Sequence, residues 1–391
     1  MASKLYFSRD TKVIAHMPQS SAATKSMFYD IPVLDGFSFS QATNTSEITL
    51  NEAQSTSGAS RRGRAMFNDS YAPVEWSFST YMMPYTSAGG TKGTSGKGSA
   101  TDGAHCEVTE ALWAMFFGQT VNAGITSDTT NLDIVQTGAN KATVGVFDLF
   151  FIMGASQAAS DYNFTTGAAA ANQMIYKITD CSVGEASFDF DLDGIATVNW
   201  TGNGKLITEE ATLNLSSSDA FINEGVTNTS GFIRNRISDL TITGDPSGSS
   251  VTYTSTLTGG NISWSNNLTY LTPETLGVVN QPLGHVTGTK TINGNFTCYL
   301  DNASSTSSAE FYEDIVEATS DIQNSFSLSF DIGGSGTPHC IITMPTAHLE
   351  IPTHSIDEVI SLETNFHALP SDFDSTDEIS VFQFVGKDVN A

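Results

Sequence analysis

Apolar and polar residues alternate with a period of two in many short stretches of this chain, the pattern of strands that bury one face. The clearest stretch runs from Ser187 to Asp193, where Phe188, Phe190 and Leu192 alternate with Asp189, Asp191 and Asp193. Further strands are predicted at Gly36 to Ser40 around Phe37 and Phe39, Val74 to Met82, Val251 to Leu257, Asn261 to Ser265, Thr291 to Leu300, Ser325 to Asp331 and Glu378 to Phe384. Helical spacing appears twice. In EVTEALWAMFFG, Val108, Ala111, Leu112, Met115 and Phe116 follow i, i+3, i+4, i+7, i+8, and Gly118 is placed to stop the helix. In SSAEFYEDIVEA, Ser307 and Glu310 have the spacing of a capping box ahead of Phe311, Ile315 and Ala318. The fold class expected is mainly β.

These elements recur in one order, which points to a diverged internal duplication. The first half carries FSFSQ at 37–41, VEWSFSTYM at 74–82, the helix near 107–117 and SFDFDLD at 187–193. The second carries ISWSN at 262–266, INGNFTCYL at 292–300, the helix near 308–318 and SFSLSFD at 325–331. In this alignment Ser38 faces Ser263, Phe39 faces Trp264, Phe78 faces Phe296 and Asp193 faces Asp331. Two domains are therefore expected, 1–225 and 226–391, divided near the polar stretch NEGVTNTSGF. The first carries an insertion at about 84–180, with a Gly/Ser/Thr/Lys loop at 84–104 and the apolar run Val144 to Met153. Loops this long are usually functional or ordered by a neighbour.

Composition narrows the function. The chain has 391 residues, of which only 15% are charged, yet 42 acids stand against 16 Lys and Arg for a formal charge of −26. A surface at that potential repels phosphate, so a firm grip on nucleic acid is excluded. Ser and Thr make up about a quarter of the residues, a hydroxyl-rich composition suited to sheets. No stretch reaches the roughly 18 consecutive apolar residues of a spanning helix, and MASKLYFSRDTKV lacks the apolar core of a secretory signal. We therefore expect a soluble chain folded in a cytoplasm. Cys106, Cys181, Cys298 and Cys340 lie far apart with no C-x-x-C pair, as expected of buried thiols rather than a zinc site or a disulfide framework.

Motifs with a chemical reading each fail at the decisive position. FDFDLDG opens like a calcium loop through Asp189, Asp191, Asp193 and Gly194, but Trp200 stands where the bidentate acid is needed. A strand with an acidic outer face, able to line a channel or an interface, accounts for it better. The GGTKGTSGKGS loop has Gly98 after Gly96-Lys97 where a phosphate cradle needs Ser or Thr. His339, His348, His354 and His367 crowd the last quarter without metal-ligand spacing. No G-x-S-x-G elbow occurs. No enzyme, metal or cofactor is expected. Arg61, Arg62 and Arg64 form the one dense cationic cluster, and the acidic surface of another copy is its natural partner, the alternative being a solvated turn.

GFSFSQATNTSEITLNEA, SRRGRAMFNDSYAPVEWSFSTYMMPY and SFDFDLDGIATVNWTGNG, in that order, resemble the tail tube (major tail) proteins of tailed bacteriophages. GGNISWSNNLTYLTPETLG, GTKTINGNFTCYL and ITMPTAHLEIP look like a second copy of the pattern, so the resemblance covers about 30–385. It implies two tandem β-sandwich, barrel-forming tube domains, each with one flanking helix, in a structural virion protein assembled in the host cytoplasm. It also implies stacked rings, trimeric and pseudo-hexameric or truly hexameric, through which genome and tape-measure protein pass. Tail terminator and baseplate proteins, and a sheath if the tail contracts, follow as partners; DNA would pass without specific binding. Asp189, Asp191 and Asp193 are then candidates for the lumen and Arg61, Arg62 and Arg64 for contacts between copies. Two other classes remain open at this point: a phage decoration or receptor-binding β-sandwich, and a carbohydrate-active enzyme with an acid pair and exposed Trp.

Overall fold

The computed structural model describes residues 6–17, 27–48, 64–86, 105–118, 125–127, 130–135, 144–154, 173–190, 194–211, 213, 220–223, 231–244, 250–255, 257–276, 278–302, 304–317, 326–356, 358–373 and 375–388. Among them the chain is mainly β, with two α-helices, α1 (Glu110–Phe116) and α2 (Ser308–Glu317), where helical spacing predicts them. No helix among the described residues is long and apolar enough to cross a membrane. The alternating stretches are strands, several longer than their alternation: Gly36 to Ser40 grows into Ser38–Ile48, Val74 to Met82 into Ala65–Tyr81, and the Asp189 stretch is the end of Met174–Phe190.

One antiparallel sheet runs through both halves of the chain. Its order is Ser38–Ile48, Ala65–Tyr81, Thr197–Gly204, the 182–190 part of Met174–Phe190, Leu257–Ser265, Thr291–Tyr299, Ile360–Ala368 and Thr353–Ile356. Trp264 pairs directly with Ala186 and Ile262 with Phe188, so the join between halves is a full ladder. Among the described residues no strand pairs with the outer edge of Ser38–Ile48 or of Thr353–Ile356. Open edges of this kind invite pairing with another chain.

The remaining ladders repeat. Thr11–Met17 lies between Met27–Ile31 and Phe147–Met153, and Asp239–Gly244 lies likewise between Val251–Ser255 and Phe326–Ile332. Met174–Phe190 then continues from Phe147–Met153 and pairs Leu206–Glu210, just as His339–Leu349 continues from Phe326–Ile332 and pairs Val381–Val385. By its ladders SFSLSFD at 325–331 stands where Phe147–Met153 stands, not where SFDFDLD stands. Alternation fixes which face a strand buries but not its place in a sheet, so strands of equal texture align by chance.

The core lies between these layers. All four tryptophans are buried, and Trp113 of α1 packs on two of them, with ring centroids 4.6 Å from Trp200 and 5.4 Å from Trp264, and 4.8 Å from Phe382. Gly202 has a structural reason: a Cβ there would collide with the Trp76 ring. All four cysteines are free and buried. The expected capping box is not formed. Ser307 contributes its backbone carbonyl to Phe311, while its hydroxyl makes no hydrogen bond among the described residues. Ser308 takes the anchoring role instead, its Oγ donating to the Tyr299 carbonyl at 2.7 Å and accepting from the Asp301 N–H at 2.8 Å.

A small sheet of Pro84–Thr86, His105–Glu107 and Lys387–Asp388 ties the last described residues to the first half, with the Gly386 N–H donating to His105 Nδ1 at 2.8 Å. Glu107, fully buried there, accepts from the Thr109 N–H at 2.6 Å and hydroxyl at 2.7 Å. Burial pushes its carboxyl up to about 7; the Thr109 and Met83 hydrogen bonds oppose this and Glu110 reinforces it. Because the folded state holds the proton at higher pH than the unfolded chain, stability should fall as pH rises from about 4.5 to about 7, by on the order of 3 kcal/mol from this group. Urea midpoints of the native chain and Glu107→Gln across that window should converge at the acid end and separate above it, the variant showing the shallower decline. Parallel curves would count against the assignment.

Candidate functional site

The central strands of the eight-stranded sheet, from the 74–81 part of Ala65–Tyr81 to Ile360–Ala368, present one apolar and one polar face, because buried and less buried residues alternate along them. Phe78, Trp200, Ala186, Trp264 and Phe296 share the buried face. The opposite face is built in rows that cross both halves. Ser79, Asn199, Ser187, Ser263, Asn293, His367 and His348 form one row, each directly paired with the next. Asp189, Asn261, Asn295 and Asn365 form another.

This face is hydroxyl, amide and carboxylate. Glu75, Glu185, Asp189 and Glu363 are all exposed on it, and the residues that make up the sheet include no Lys or Arg. The acids are held by neutral donors rather than cations: Ser263 Oγ donates to Glu185 Oε1 at 3.0 Å and Asn261 Nδ2 to Asp189 Oδ1 at 2.5 Å. Their negative charge is therefore oriented but not neutralised. At the far side, Asn365 Nδ2 donates to Glu350 Oε2 at 2.7 Å, and these contacts, with His367 beside them, hold the Glu350 carboxyl below the usual carboxylate range.

Asp189 thus lies on the exposed polar face; Asp191 and Asp193 lie outside the described residues. Arg64 stands at the start of Ala65–Tyr81, on the hairpin arm this strand makes with Ser38–Ile48, and its guanidinium reaches Glu47 through Nε at 2.5 Å and Nη2 at 2.6 Å. Arg61 and Arg62 lie outside the described residues. The four histidines of the last quarter are spread out: His348 faces His367 across a ladder, His354 lies edge-on to Tyr312, and His339 Nδ1 contacts the Gly336 carbonyl oxygen. Among the described residues no three His, Cys, Asp or Glu converge as metal ligands do. The polar face as a whole was not visible in the sequence, although the Ser, Thr and Asn at alternate positions in each strand were its signal.

A family model described as Phage tail tube protein matches residues 86–368. The chain is also 29% identical over 359 residues to the protein named Tail tube protein pb6 of Escherichia phage T5, an alignment covering 89% of this chain and 69% of that protein. A continuous sheet with an uncharged-to-acidic face and two open edges is what a self-assembling wall requires, and the family match spans most of the strands that build it: the chain belongs to the phage tail tube protein family and is a structural subunit of the virion tail.

Proposed function

We propose that the polar face of the eight-stranded sheet is the wall of the tail-tube lumen, closed by pairing the open edge of Thr353–Ile356 in one copy with that of Ser38–Ile48 in the next. The observation that carries this reading is the single sheet order, polar on one side of its central strands, that ends among the described residues in two unpaired edges. The repeated ladders support a tandem of two tube domains, 1–225 and 226–391, so that three copies make a pseudo-sixfold ring; true hexamers of the chain are the alternative. Rings stack into the conduit for genome and tape-measure protein, bounded by terminator and baseplate proteins and enclosed by a sheath if the tail contracts. Assembly takes place in the host cytoplasm. A structural role in this family is consistent with a protein that is not an enzyme.

In this reading Asp189, with Asp191 and Asp193, faces the lumen, where acids keep DNA from adhering: each Lys or Arg contact with phosphate adds salt-dependent affinity and therefore friction. Arg61, Arg62 and Arg64 belong to contacts between copies. Arg64's place on an exposed arm supports this, and its pairing with Glu47 leaves a salt bridge that a neighbour's acids can join.

Negative-stain microscopy of the purified chain tests the proposal: rings or tubes are expected, and a monomer at every concentration would overturn it. Edge variants sharpen the test. Successive N–H groups of a strand point to opposite sides, so of His354→Pro and Ser355→Pro one removes an outward donor. That variant should keep the monomer folded and abolish tubes, whereas its neighbour should disturb the ladder to Ile360–Ala368.

A further inference from the structure

We propose that the outward face of α2, with Tyr312, Glu313 and Val316, is covered in the assembled tube by the first half of a second copy, which closes over it as the second half of the same chain closes over α1. The inference rests on the tube-subunit reading and adds to it a surface and the way it is filled.

Every residue of α1 is buried. Much of its cover comes from the second half: Trp264 and Phe382 pack on Trp113, Asn266 Nδ2 donates to the Phe116 carbonyl at 3.0 Å, and Lys290 Nζ lies 4.8 Å from the centre of the Phe117 ring. α2 packs on strands of the second half, its Phe311 ring 5.4 Å from Tyr253, 6.0 Å from Phe326 and 6.4 Å from Phe296. Phe311 and Ile315 turn inward and are buried, while Glu313 and Val316 on the other side are exposed among the described residues. Val316 remains 44% exposed and Ile356, on the adjoining open strand, 79%. The His354 ring lies edge-on to Tyr312 at 4.8 Å, so the helix and the open strand form one continuous surface.

The occupant follows from the order of the ladders. Within the chain, Leu257–Ser265 adjoins the 182–190 strand and brings Trp264 to α1. In the first half, the strand that opens the same order is Ser38–Ile48, whose outer edge is unpaired. A neighbour that pairs this edge with Thr353–Ile356 carries its own first half over α2. The two junctions differ in chemistry. Around Trp113 the filling is aromatic and buried, whereas Glu313 and His354, both exposed, suit a surface wetted before assembly, as in interfaces between separately folded partners.

Val316→Cys tests the inference, because the four native cysteines are buried and the added thiol is the reactive one. A maleimide should label it in dispersed protein and lose that reaction in assembled tubes. Equal labelling in tubes and in dispersed protein would overturn the covered surface while leaving the tube reading intact. Val316→Arg should abolish tubes with no shift of the monomer's unfolding midpoint, and tubes of ordinary length from that variant would also overturn it. If the unmodified chain forms neither rings nor tubes, the underlying reading fails, and this inference with it.

Discussion

Trp113→Ala is expected to lower the unfolding free energy by about 3–5 kcal/mol, the range for truncating a fully buried aromatic side chain. Total stabilities of domains are only about 5–15 kcal/mol, so this one change should move the urea midpoint further than any other considered for this chain. The indole touches Trp200 from the first half and Trp264 and Phe382 from the second. The cavity would therefore open between residues of both halves. Trp113→Phe should cost much less. It keeps a ring in place and removes an indole N–H that has no hydrogen-bond partner among the described residues. A loss below about 1 kcal/mol for the alanine variant, the ordinary value for an unremarkable position, would show that α1 is not the keystone of the join.

The second large effect concerns charge. Glu185, Asp189 and Glu363 are exposed on a face without Lys or Arg, and converting all three to Lys should turn an inert wall into one that binds DNA. Each phosphate so engaged adds roughly −0.7 to −0.9 to the slope of log affinity against log salt, and the substitutions recur in every copy. Variant tubes should hold DNA at low salt and release it as salt rises, and variant particles should eject more slowly; native tubes should show neither. Unchanged ejection, with tubes of normal appearance, would remove the polar face from the lumen. The fold should tolerate the change, since these side chains project away from the core and give up only single hydrogen bonds to Ser263 and Asn261.

Much of this protein is legible in its residue order because the governing forces are local. Alternation set the strands that carry Phe188, Trp264 and Phe296, since a strand burying one face must repeat every second residue. Spacing of three and four set both helices. What the sequence could not specify are the pairings between distant segments. The Ala186 to Trp264 ladder joins the halves into one sheet, and alternation is silent about partners because every strand of the right parity offers the same edge. For the same reason Phe326–Ile332 aligned with the wrong strand of the first half. The hydroxyl that anchors the start of α2 is that of Ser308 rather than Ser307, because it reaches the Tyr299 carbonyl nine residues back and the Asp301 N–H, contacts the local motif does not encode. Asp189 shows the division most plainly: its outward direction follows from its place between Phe188 and Phe190, but its position in a row with Asn261, Asn295 and Asn365 exists only once four strands have met.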